Sequence, residues 1–380
     1  MKLSGDWITD ASVQRLLHVL EQAGHRALFV GGCVRNALMG IEVNDVDIAT
    51  DALPGTVTNI AEKAGFRVVP TGIAHGTVTV VADRVSFEIT TFRQDIATDG
   101  RHATVAFTTS IAQDAARRDF TMNALYADAA GNVIDPLGGL DDVLARHVRF
   151  VGDANARIRE DYLRLLRFFR LYAIYGDHNA GIDAEGLAAC AGNADGLDGL
   201  SAERIGAEIR KLLAAPDPVP AISSMAQSGL LARVMPGADA AFLGPLVHLE
   251  AGTVPRWQRR LAVMGGEDMA ERLSLSRVDS GSIRRIRDEI GANLTAAALG
   301  WRLGKVEAED VILCRAVVLQ MPLSDRWRMQ IEHGARATNP VTAADLMPAL
   351  TGPALGEKLR QIEQRWLASD LTLTKAQLLA

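Results

Sequence analysis

The stretch Phe29-Val-Gly-Gly-Cys-Val-Arg-Asn-Ala-Leu38 decides the fold of this 380-residue chain. It runs from a β-type segment through Gly31 and Gly32 into a helical pattern, and glycines allow a tight turn that other atoms approach closely. The N–H groups and the dipole at the start of such a helix attract an anion, which Arg35 could clamp from one turn further on. The same stretch also fits a plain tight turn with a surface arginine, because Gly-Gly turns are common.

A pair of acidic residues follows in the run Asn44-Asp-Val-Asp-Ile-Ala-Thr50. Alternate residues of a strand face the same way, so we expect Asp45 and Asp47 to present both carboxylates to one side. Such charges repel each other unless a cation holds them, and oxygen ligands suit Mg²⁺. Together with an anion-binding turn, the pair predicts phosphoryl transfer with bound metal ions. Two solvated acids on an edge strand are the alternative, and Glu88 is either a third carboxylate or an exposed strand residue.

The order of patterns along the chain predicts an α+β head followed by a helical remainder. The β-type runs, rich in Val, Ile, Thr and Phe, are Ala27–Val30, Val46–Ala49, Arg67–Val69, Thr77–Val81, Phe87–Phe92 and Val105–Thr108. Helical periodicity marks Val13–Glu21, Pro54–Ala64 and Ala154–Tyr175. The last of these reads as one long amphipathic helix that ends at Gly176. Beyond it no β-type run stands out.

Composition excludes several classes of protein. With 48% hydrophobic and 23% charged residues, the chain is expected to be globular rather than disordered, and its length suggests two or three domains of about 100–200 residues. It has no apolar run near the ~18 residues of a membrane span and no N-terminal signal pattern. Its three distant cysteines fit neither a disulfide framework nor a spaced zinc site. We therefore expect a reduced, cytoplasmic protein that does not enter a membrane.

The overall charge argues at first against a nucleic-acid partner. The net charge is −6 and the pI is about 5.8, and an acidic protein repels polyanions. However, only six of the 40 basic residues are lysines, and arginine is the side chain suited to bidentate contacts with phosphates and bases. High arginine usage is also a common effect of genomic base composition, so it carries no conclusion by itself.

Two further motifs are rich in arginine. In Ala116-Arg-Arg-Asp-Phe-Thr-Met-Asn-Ala124, Asp119 could cap a following helix with Arg118 as a surface ion-pair partner. Four residues of the second motif recur every three positions and would share one helix face, namely Asp161, Arg164, Arg167 and Arg170. A solvated ion-pair face explains this spacing, but residues 146–170 hold seven arginines against three acids, which favours an anionic ligand.

The four motifs, taken in order, resemble those of one family. Gly-Gly-x-Val-Arg, Asp-x-Asp, Arg-Arg-Asp-Phe-Thr-x-Asn-Ala and Glu-Asp-x-x-Arg-x-x-Arg are similar to the motifs of class II tRNA nucleotidyltransferases, the CCA-adding enzymes, whose head bacterial poly(A) polymerases share. The match covers about residues 26–175. It implies a nucleotidyltransferase head of mixed β-sheet and helices over 1–150, a base-recognising helical neck over 151–215, and a tRNA-binding helical body and tail over 216–380.

The resemblance implies roles for the first two motifs. Gly31, Gly32 and Arg35 would bind the triphosphate, and Asp45 and Asp47 would hold two Mg²⁺ ions. The family commonly has Asp where this chain has Asn36. The contact made by that Asp is therefore in question here, whereas the metal-binding pair is intact.

The resemblance also implies how the nucleotide is selected. Arg118 and Asp119 would position the ribose and favour a 2′-hydroxyl. The base would be recognised by the second arginine-rich motif, with Asp161 and Arg164 reading it and with support from Arg167 and Arg170. Cytosine and adenine both place an amino donor beside a ring-nitrogen acceptor, so one acceptor beside one donor pairs with both, whereas uracil and guanine leave groups unpaired. The segment Asp95–His102 matches a flexible loop tied to the switch from C to A addition.

The sequence thus predicts template-independent addition of C, C and A to tRNA 3′ ends from CTP and ATP. Alternatives that stay open are a poly(A) polymerase, an enzyme that adds only CC or only A, and a catalytically silent RNA-binding protein. The stretch Thr71–Thr79 resembles the CCA-adding branch. Two clusters in the remainder could contact tRNA phosphates or be solvated helix faces: Arg256, Arg259 and Arg260, and Arg284, Arg285 and Arg287.

Overall fold

The structure is a computed structural model that describes residues 1–83, 85–99 and 102–380, with the backbone alone for 95–99 and 102–105. The described residues form two compact units. The first comprises Met1–Glu208 with Pro220–Arg233, and the second comprises Ile209–Val219 with Val234–Ala380. The predicted division at residues 150 and 215 stays a prediction.

The first unit is built on a mixed β-sheet. Its strands are β1 (Ala27–Val30), β2 (Asp47–Thr50), β3 (Arg67–Gly72), β4 (Thr77–Ala82), β5 (Val85–Thr91), β6 (Arg93–Asp99), β7 (His102–Phe107), β8 (Tyr126–Ala127) and β9 (Val133–Ile134). Within the described residues, seven of them form one sheet in the order β3-β4-β5-β2-β1-β8-β9, and β6 pairs with β7. Strands β2 and β5 are parallel, and the other pairs are antiparallel. Each predicted β-type run overlaps one of these strands, whereas β6, β8 and β9 were not predicted.

Helices flank this sheet and continue along the chain. In chain order they are α1 (Asp6–Thr9), α2 (Ala11–Gln22), α3 (Gly32–Leu38), α4 (Pro54–Lys63), α5 (Ile111–Ala116), α6 (Gly139–Leu144), α7 (Ala154–Glu160), α8 (Leu163–Tyr175), α9 (Ala184–Gly192), α10 (Ala202–Leu213), α11 (Val219–Gln227) and α12 (Leu230–Val234). Helix α2 illustrates how the apolar periodicity of the sequence predicts a helix, because the face formed by Leu16, Leu17 and Leu20 is fully buried. The Asp10 carboxylate caps its start by accepting from two backbone N–H groups, which stabilises a helix N-terminus.

The predicted single helix over 154–175 is wrong, because the chain breaks between α7 and α8. Asp161 has extended dihedrals, φ −155° and ψ 106°, and its carboxylate accepts from the Leu163 N–H at 3.1 Å. The ring of Tyr162 lies against Gly196, where a Cβ atom would come within 1.9 Å of it. These contacts favour the break, whereas the sequence there contains neither Gly nor Pro and continues the helical period.

The second unit is helical. Its remaining helices are α13 (Leu243–Leu249), α14 (Trp257–Met264), α15 (Met269–Arg272), α16 (Arg277–Ile290), α17 (Ala296–Val318), α18 (Trp327–Arg336), α19 (Gly352–Ala368) and α20 (Lys375–Leu379). Helix α17 contains a break at Gly304, where φ is 75°. One buried cluster near the C-terminus consists of Val341, Ile362, Trp366 and Leu378. In the part of the chain that the structure describes, no helix combines the length and the apolar character of a membrane span.

Candidate active site

The glycine turn joins β1 to α3 and is conformationally specific. Gly31 has φ 73° and ψ −117°, a region that L side chains rarely adopt. Its N–H donates to the Leu125 carbonyl at 3.0 Å, and a Cβ atom there would lie 3.3 Å from Nη1 of Arg118. The turn therefore requires glycine at position 31, and it brings the first motif next to the arginine of the third. Gly32 begins α3.

Arg35 is 7% exposed and its guanidinium donates four hydrogen bonds to its neighbours. Its Nη2 donates to the Tyr175 hydroxyl at 2.8 Å, Nη1 donates to Oδ1 of Asn123, and Nε and Nη2 donate to Oδ1 of Asn36 at 3.2 and 2.9 Å. Burial lowers the pKa of Arg35 from its ordinary value, while Tyr175 and Asp119 oppose that shift. Asn36 thus supplies a neutral acceptor to Arg35, and its Nδ2 donates to the Glu42 carbonyl at 3.1 Å.

The carboxylates meet at the start of β2. Asp47 is the first residue of that strand, and the parallel register places it beside Glu88 of β5. Asp45 lies in the segment before the strand rather than on it, so the expectation of a strand pair is correct only for Asp47. All three acids line one cavity of about 620 Å³, together with Asn44, Val46, Val85, Ser86 and Phe87.

The negative charges of the carboxylates that line this cavity destabilise one another. The pKa of the Asp47 carboxyl is raised, first because the surrounding protein limits the hydration of this exposed side chain and then because Glu88 and Asp45 repel its charge, while Arg118 opposes the shift. A cation would relieve both effects, and a set of hard oxygen donors suits Mg²⁺. The described residues contain no group of three or more His, Cys, Asp or Glu side chains that could hold a metal ion by itself. The residues therefore fit a metal ion whose remaining ligands come from elsewhere.

Arg118 is held by a polar cluster that the sequence did not suggest. Its Nη2 donates to Oδ2 of Asp114 at 3.0 Å and its Nε donates to the Tyr126 hydroxyl at 3.1 Å, while that hydroxyl donates to Asp114 at 2.6 Å. Burial alone would raise the pKa of Asp114, but Arg118 and Arg117 outweigh it and hold the pKa below its usual value. Arg118 is thus rigidly placed beside the glycine turn and is not the surface ion-pair partner considered above.

The sequence position of Asp119 allowed it to cap a following helix, but in the structure it caps none. The next ordered turn is the 3₁₀ turn Thr121–Asn123, and no side chain caps it. Oδ1 of Asp119 accepts from the Phe120 N–H at 2.9 Å and from Nδ2 of Asn123 at 3.0 Å, and Oδ2 accepts from Nε of Arg167 at 2.7 Å. Burial would raise the pKa of Asp119, but Arg167 and Asn123 reverse the shift and lower it. The third and fourth motifs are therefore joined directly.

Asp161 and Arg164 do not pair through their side chains. The Asp161 carboxylate accepts from Nη2 of Arg204 at 3.0 and 2.8 Å, and Arg204 belongs to α10. Arg164 forms an ion pair with Glu160 and donates to the Arg157 carbonyl at 3.0 Å. They remain neighbours at the start of α8, where the Arg164 N–H donates to the Asp161 carbonyl at 3.0 Å.

Arg170 lies further along the same helix. Its Nε is 2.8 Å from Oε2 of Glu208. Burial lowers the pKa of Arg170, an effect that Glu208 opposes. The structure thus brings Arg167 to Asp119 but gives Arg170 a different acidic partner. Five engaged residues were missing from the predicted set: Asp114, Asn123, Tyr126, Tyr175 and Arg204. Only Asn123 had a signal in the sequence, as a fixed member of the third motif.

Neither alternative considered for Arg259 and Arg260, contact with tRNA phosphates or a solvated helix face, fits the structure. Both are 1% exposed. Their Nε atoms donate to the two carboxylate oxygens of Glu250 at 2.7 and 2.9 Å. Arg256 and Arg259 flank Asp310, whose pKa burial raises to about 6 against the opposing effect of both arginines. The buried acids attract these arginines to the interior.

The second arginine cluster, by contrast, lies at the surface. Arg284, Arg285 and Arg287 are exposed on α16, and Arg285 pairs with Glu307 at 2.5 Å. Their contact with tRNA stays a prediction. Of the loop expected over Asp95–His102, Gly100 and Arg101 lie outside the described residues, and the backbone on either side of them belongs to strands β6 and β7.

The fold and this set of side chains define the class as a nucleotidyltransferase of the poly(A) polymerase type. The family described as "Poly A polymerase head domain" matches residues 27–149, and that described as "Probable RNA and SrmB- binding site of polymerase A" matches residues 181–242. The CCA-adding enzyme of Levilactobacillus brevis is 32% identical over 385 residues, which cover 96% of this chain and 95% of that relative. The chain belongs to the CCA-adding enzyme family of tRNA nucleotidyltransferases.

Two further comparisons agree with this family. The CCA tRNA nucleotidyltransferase 1, mitochondrial, of Homo sapiens is 43% identical over 202 residues, which are 53% of this chain and 46% of that relative. In that match the chain spans about half the length of the relative. The crystal structure of the Bacillus stearothermophilus CCA-adding enzyme in complex with CTP superposes with a TM-score of 0.76 at 27% identity, covering 94% of this chain and 93% of that one.

Proposed function

We propose that this chain adds C, C and A to the 3′ ends of tRNA, using CTP and ATP and releasing pyrophosphate. One observation carries the proposal: the glycine turn contacts Arg118, whose neighbour Asp119 is bound by Arg167 of the fourth motif. Residues separated by more than 130 positions therefore form one array in the unit that also holds the carboxylate cavity. The names of the relatives support the same activity. A cytoplasmic location, expected from the three unpaired cysteines, is part of the proposal.

Asp45 and Asp47 would hold two Mg²⁺ ions, with Glu88 as the candidate third carboxylate. Such ions, when bound, make the attacking 3′-hydroxyl more acidic and offset the charge of the leaving pyrophosphate. Because Mg²⁺ keeps few protein ligands and shares substrate phosphates, two carboxylates suffice as the protein's contribution. The chain itself then has to bind and orient the nucleotide, and it needs no nucleophilic side chain.

Orientation of the nucleotide is assigned to the glycine turn, to Arg35 and to the neighbouring pair Arg118 and Asp119. The backbone of Gly31 and Gly32 would approach the triphosphate, with Arg35 adding positive charge. Arg118 and Asp119 would position the ribose and its 2′-hydroxyl. Since these groups are already fixed by their neighbours, little ordering remains to be done when the nucleotide binds.

Base selection is assigned to Asp161 and Arg164, with Arg167 and Arg170 supporting the base and the phosphates. A carboxylate acceptor beside a guanidinium donor pairs with cytosine and with adenine. Uracil and guanine would leave buried polar groups unpaired, which costs about 1–3 kcal/mol per group. Because Asp161 is held by Arg204 and Arg164 by Glu160, the incoming base would share or replace these contacts.

The test is incorporation of each labelled nucleotide into tRNA that lacks its terminal CCA. We expect two C residues followed by one A, with no U or G. Asp47→Ala is expected to abolish addition, because the cavity loses a metal ligand, while the exposed Asp6 in the matched variant Asp6→Ala has no such role. Long A tracts without C would indicate a poly(A) polymerase, and full activity of Asp47→Ala would contradict the assigned site.

A further inference from the structure

Two side chains without an assigned role, Asn123 and Tyr175, contact Arg35, and Asn123 also contacts Asp119. Oδ1 of Asn123 accepts from Nη1 of Arg35, and its Nδ2 donates to Oδ1 of Asp119 at 3.0 Å. The Tyr175 hydroxyl accepts from Nη2 of Arg35 at 2.8 Å, and the Arg35 guanidinium carbon lies 3.9 Å from the Tyr175 ring centroid. Arg35 is thus bound from two directions by residues outside its own helix.

The orientation of the Asn123 amide follows from its charged neighbours. A guanidinium can only donate and an ionised carboxylate can only accept. The amide carbonyl must therefore face Arg35 and the amide NH₂ must face Asp119. Asn123 is 9% exposed, so removal of its amide leaves two charged groups with one partner fewer in a place that water reaches poorly.

These contacts close into a ring. From Arg35 of α3 they pass through Asn123 to Asp119 and on to Arg167 of α8. The same helix ends at Tyr175, which binds Arg35 again. A rigid helix between Arg167 and Tyr175 means that a shift of Arg35 is transmitted to Asp119 by two routes.

We propose that Asn123 and Tyr175 are positioning residues that couple recognition of the triphosphate by Arg35 to recognition of the 2′-hydroxyl by Asp119. Neither residue touches the nucleotide in this scheme. The inference rests on the proposed function, since it takes the roles of Arg35 and Asp119 from it. Its consequence is that loss of a contact to Arg35 also weakens the preference for ribonucleotides over deoxyribonucleotides.

The experiment compares Asn123→Ala, Tyr175→Phe and the double variant with the wild type. Steady-state kinetics with tRNA lacking its terminal A give KM and kcat for ATP and dATP, and tRNA lacking CCA gives KM for CTP. We expect Asn123→Ala to raise KM for ATP and CTP about tenfold, as for a hydrogen bond to a charged group, with kcat changed less. The ATP-over-dATP preference in kcat/KM should fall about tenfold.

Tyr175→Phe keeps the ring under Arg35 and removes a single oxygen atom. It should raise both KM values about threefold and lower the ribonucleotide preference as well. Because both residues act on Arg35, the double variant should be little worse than Asn123→Ala alone. The matched control is Tyr172→Phe. Tyr172 lies on the same helix, but its ring packs against that of His178, with the ring centroids 5.2 Å apart. Wild-type kinetics are expected for this variant.

The outcomes separate this inference from the proposed function. Wild-type protein that adds no nucleotide would contradict the function itself. Active variants with an unchanged ATP-over-dATP preference, or a Tyr175→Phe that raises KM without changing that preference, would overturn the coupling. If thermal unfolding shows that Asn123→Ala does not fold, the conservative Tyr175→Phe decides the question with the same preference measurement.

Discussion

At the level of single residues, Arg204 is a side chain outside the predicted set that binds a motif residue directly. It holds both oxygens of the Asp161 carboxylate through one nitrogen. Asp161 stands at the break between two helices, where its backbone lacks the support of a continuous helix. The carboxylate proposed to read the base thus takes its orientation largely from Arg204.

Replacement of Arg204 should therefore reduce base discrimination. In Arg204→Met the length of the side chain is kept and the charge is removed, so the Asp161 carboxylate can rotate and no longer presents a fixed acceptor to the amino group of cytosine. We expect UTP incorporation relative to CTP to rise about tenfold, the scale of one charged hydrogen bond. Measurement is by kcat/KM for each nucleotide on tRNA lacking CCA.

The control for this change is Arg233→Met. Arg233 also pairs with aspartates, Asp195 and Asp198, but these are exposed, so the exchange should leave discrimination as in the wild type. Equal discrimination in Arg204→Met and the wild type would mean that Arg204 does not orient the base-reading carboxylate.

At the level of elements, local pattern and tertiary contact account for different parts of the structure. Strand β1 and helix α2 were predictable because apolar residues lie where a buried strand or helix face needs them. The break at Asp161 was not, because it depends on Arg204 and on the space left by Gly196, both more than 30 residues away in sequence. Similarly, the motifs pointed to Arg118, but nothing local to Asp114 predicted that it would bind that arginine.

The contact between α17 and α18 is another feature that only the structure reveals. A Cβ atom at Gly300 would lie 2.3 Å from the Ile331 carbonyl oxygen, and one at Gly334 would lie 1.8 Å from the Ala297 carbonyl oxygen. In both cases the obstacle is backbone, which cannot rotate away as a side chain can. The two glycines therefore set the distance between these helices.

Gly334→Ala should destabilise the second unit. The added methyl group must separate α17 from α18, and overpacking of this kind costs about 1–3 kcal/mol, to be read from urea unfolding followed by circular dichroism. Gly356→Ala is the matched control, because Gly356 lies inside α19 with open space around it. There the exchange should stabilise by about 0.5–1 kcal/mol. Equal effects of the two exchanges would refute close packing at Gly334.

At the level of the whole molecule, the net charge of −6 says little about where a polyanion can bind. Arg259 and Arg260 lie in the interior of the second unit against Glu250, and so contribute no positive surface. On α16, by contrast, Arg284 and Arg287 are exposed, while the charge of Arg285 is offset by Glu307. Counting arginines in the sequence could not separate these cases, because the separation depends on where acidic partners lie in the fold.

Exposed arginines for which the described part of the chain provides no ion pair should therefore control tRNA binding. In the double variant Arg284→Ala/Arg287→Ala we expect weaker tRNA binding and a weaker salt dependence. The slope of log K against log salt concentration should become shallower by about 1 for each phosphate that the protein no longer neutralises. Arg285→Ala, on the same helix, should change the slope less, because Glu307 already neutralises the Arg285 guanidinium, which then has no phosphate contact to lose. Binding of labelled tRNA at several salt concentrations measures both slopes. If the double variant keeps the wild-type slope, α16 does not contact tRNA phosphates, and the protein's affinity for RNA comes from arginines elsewhere.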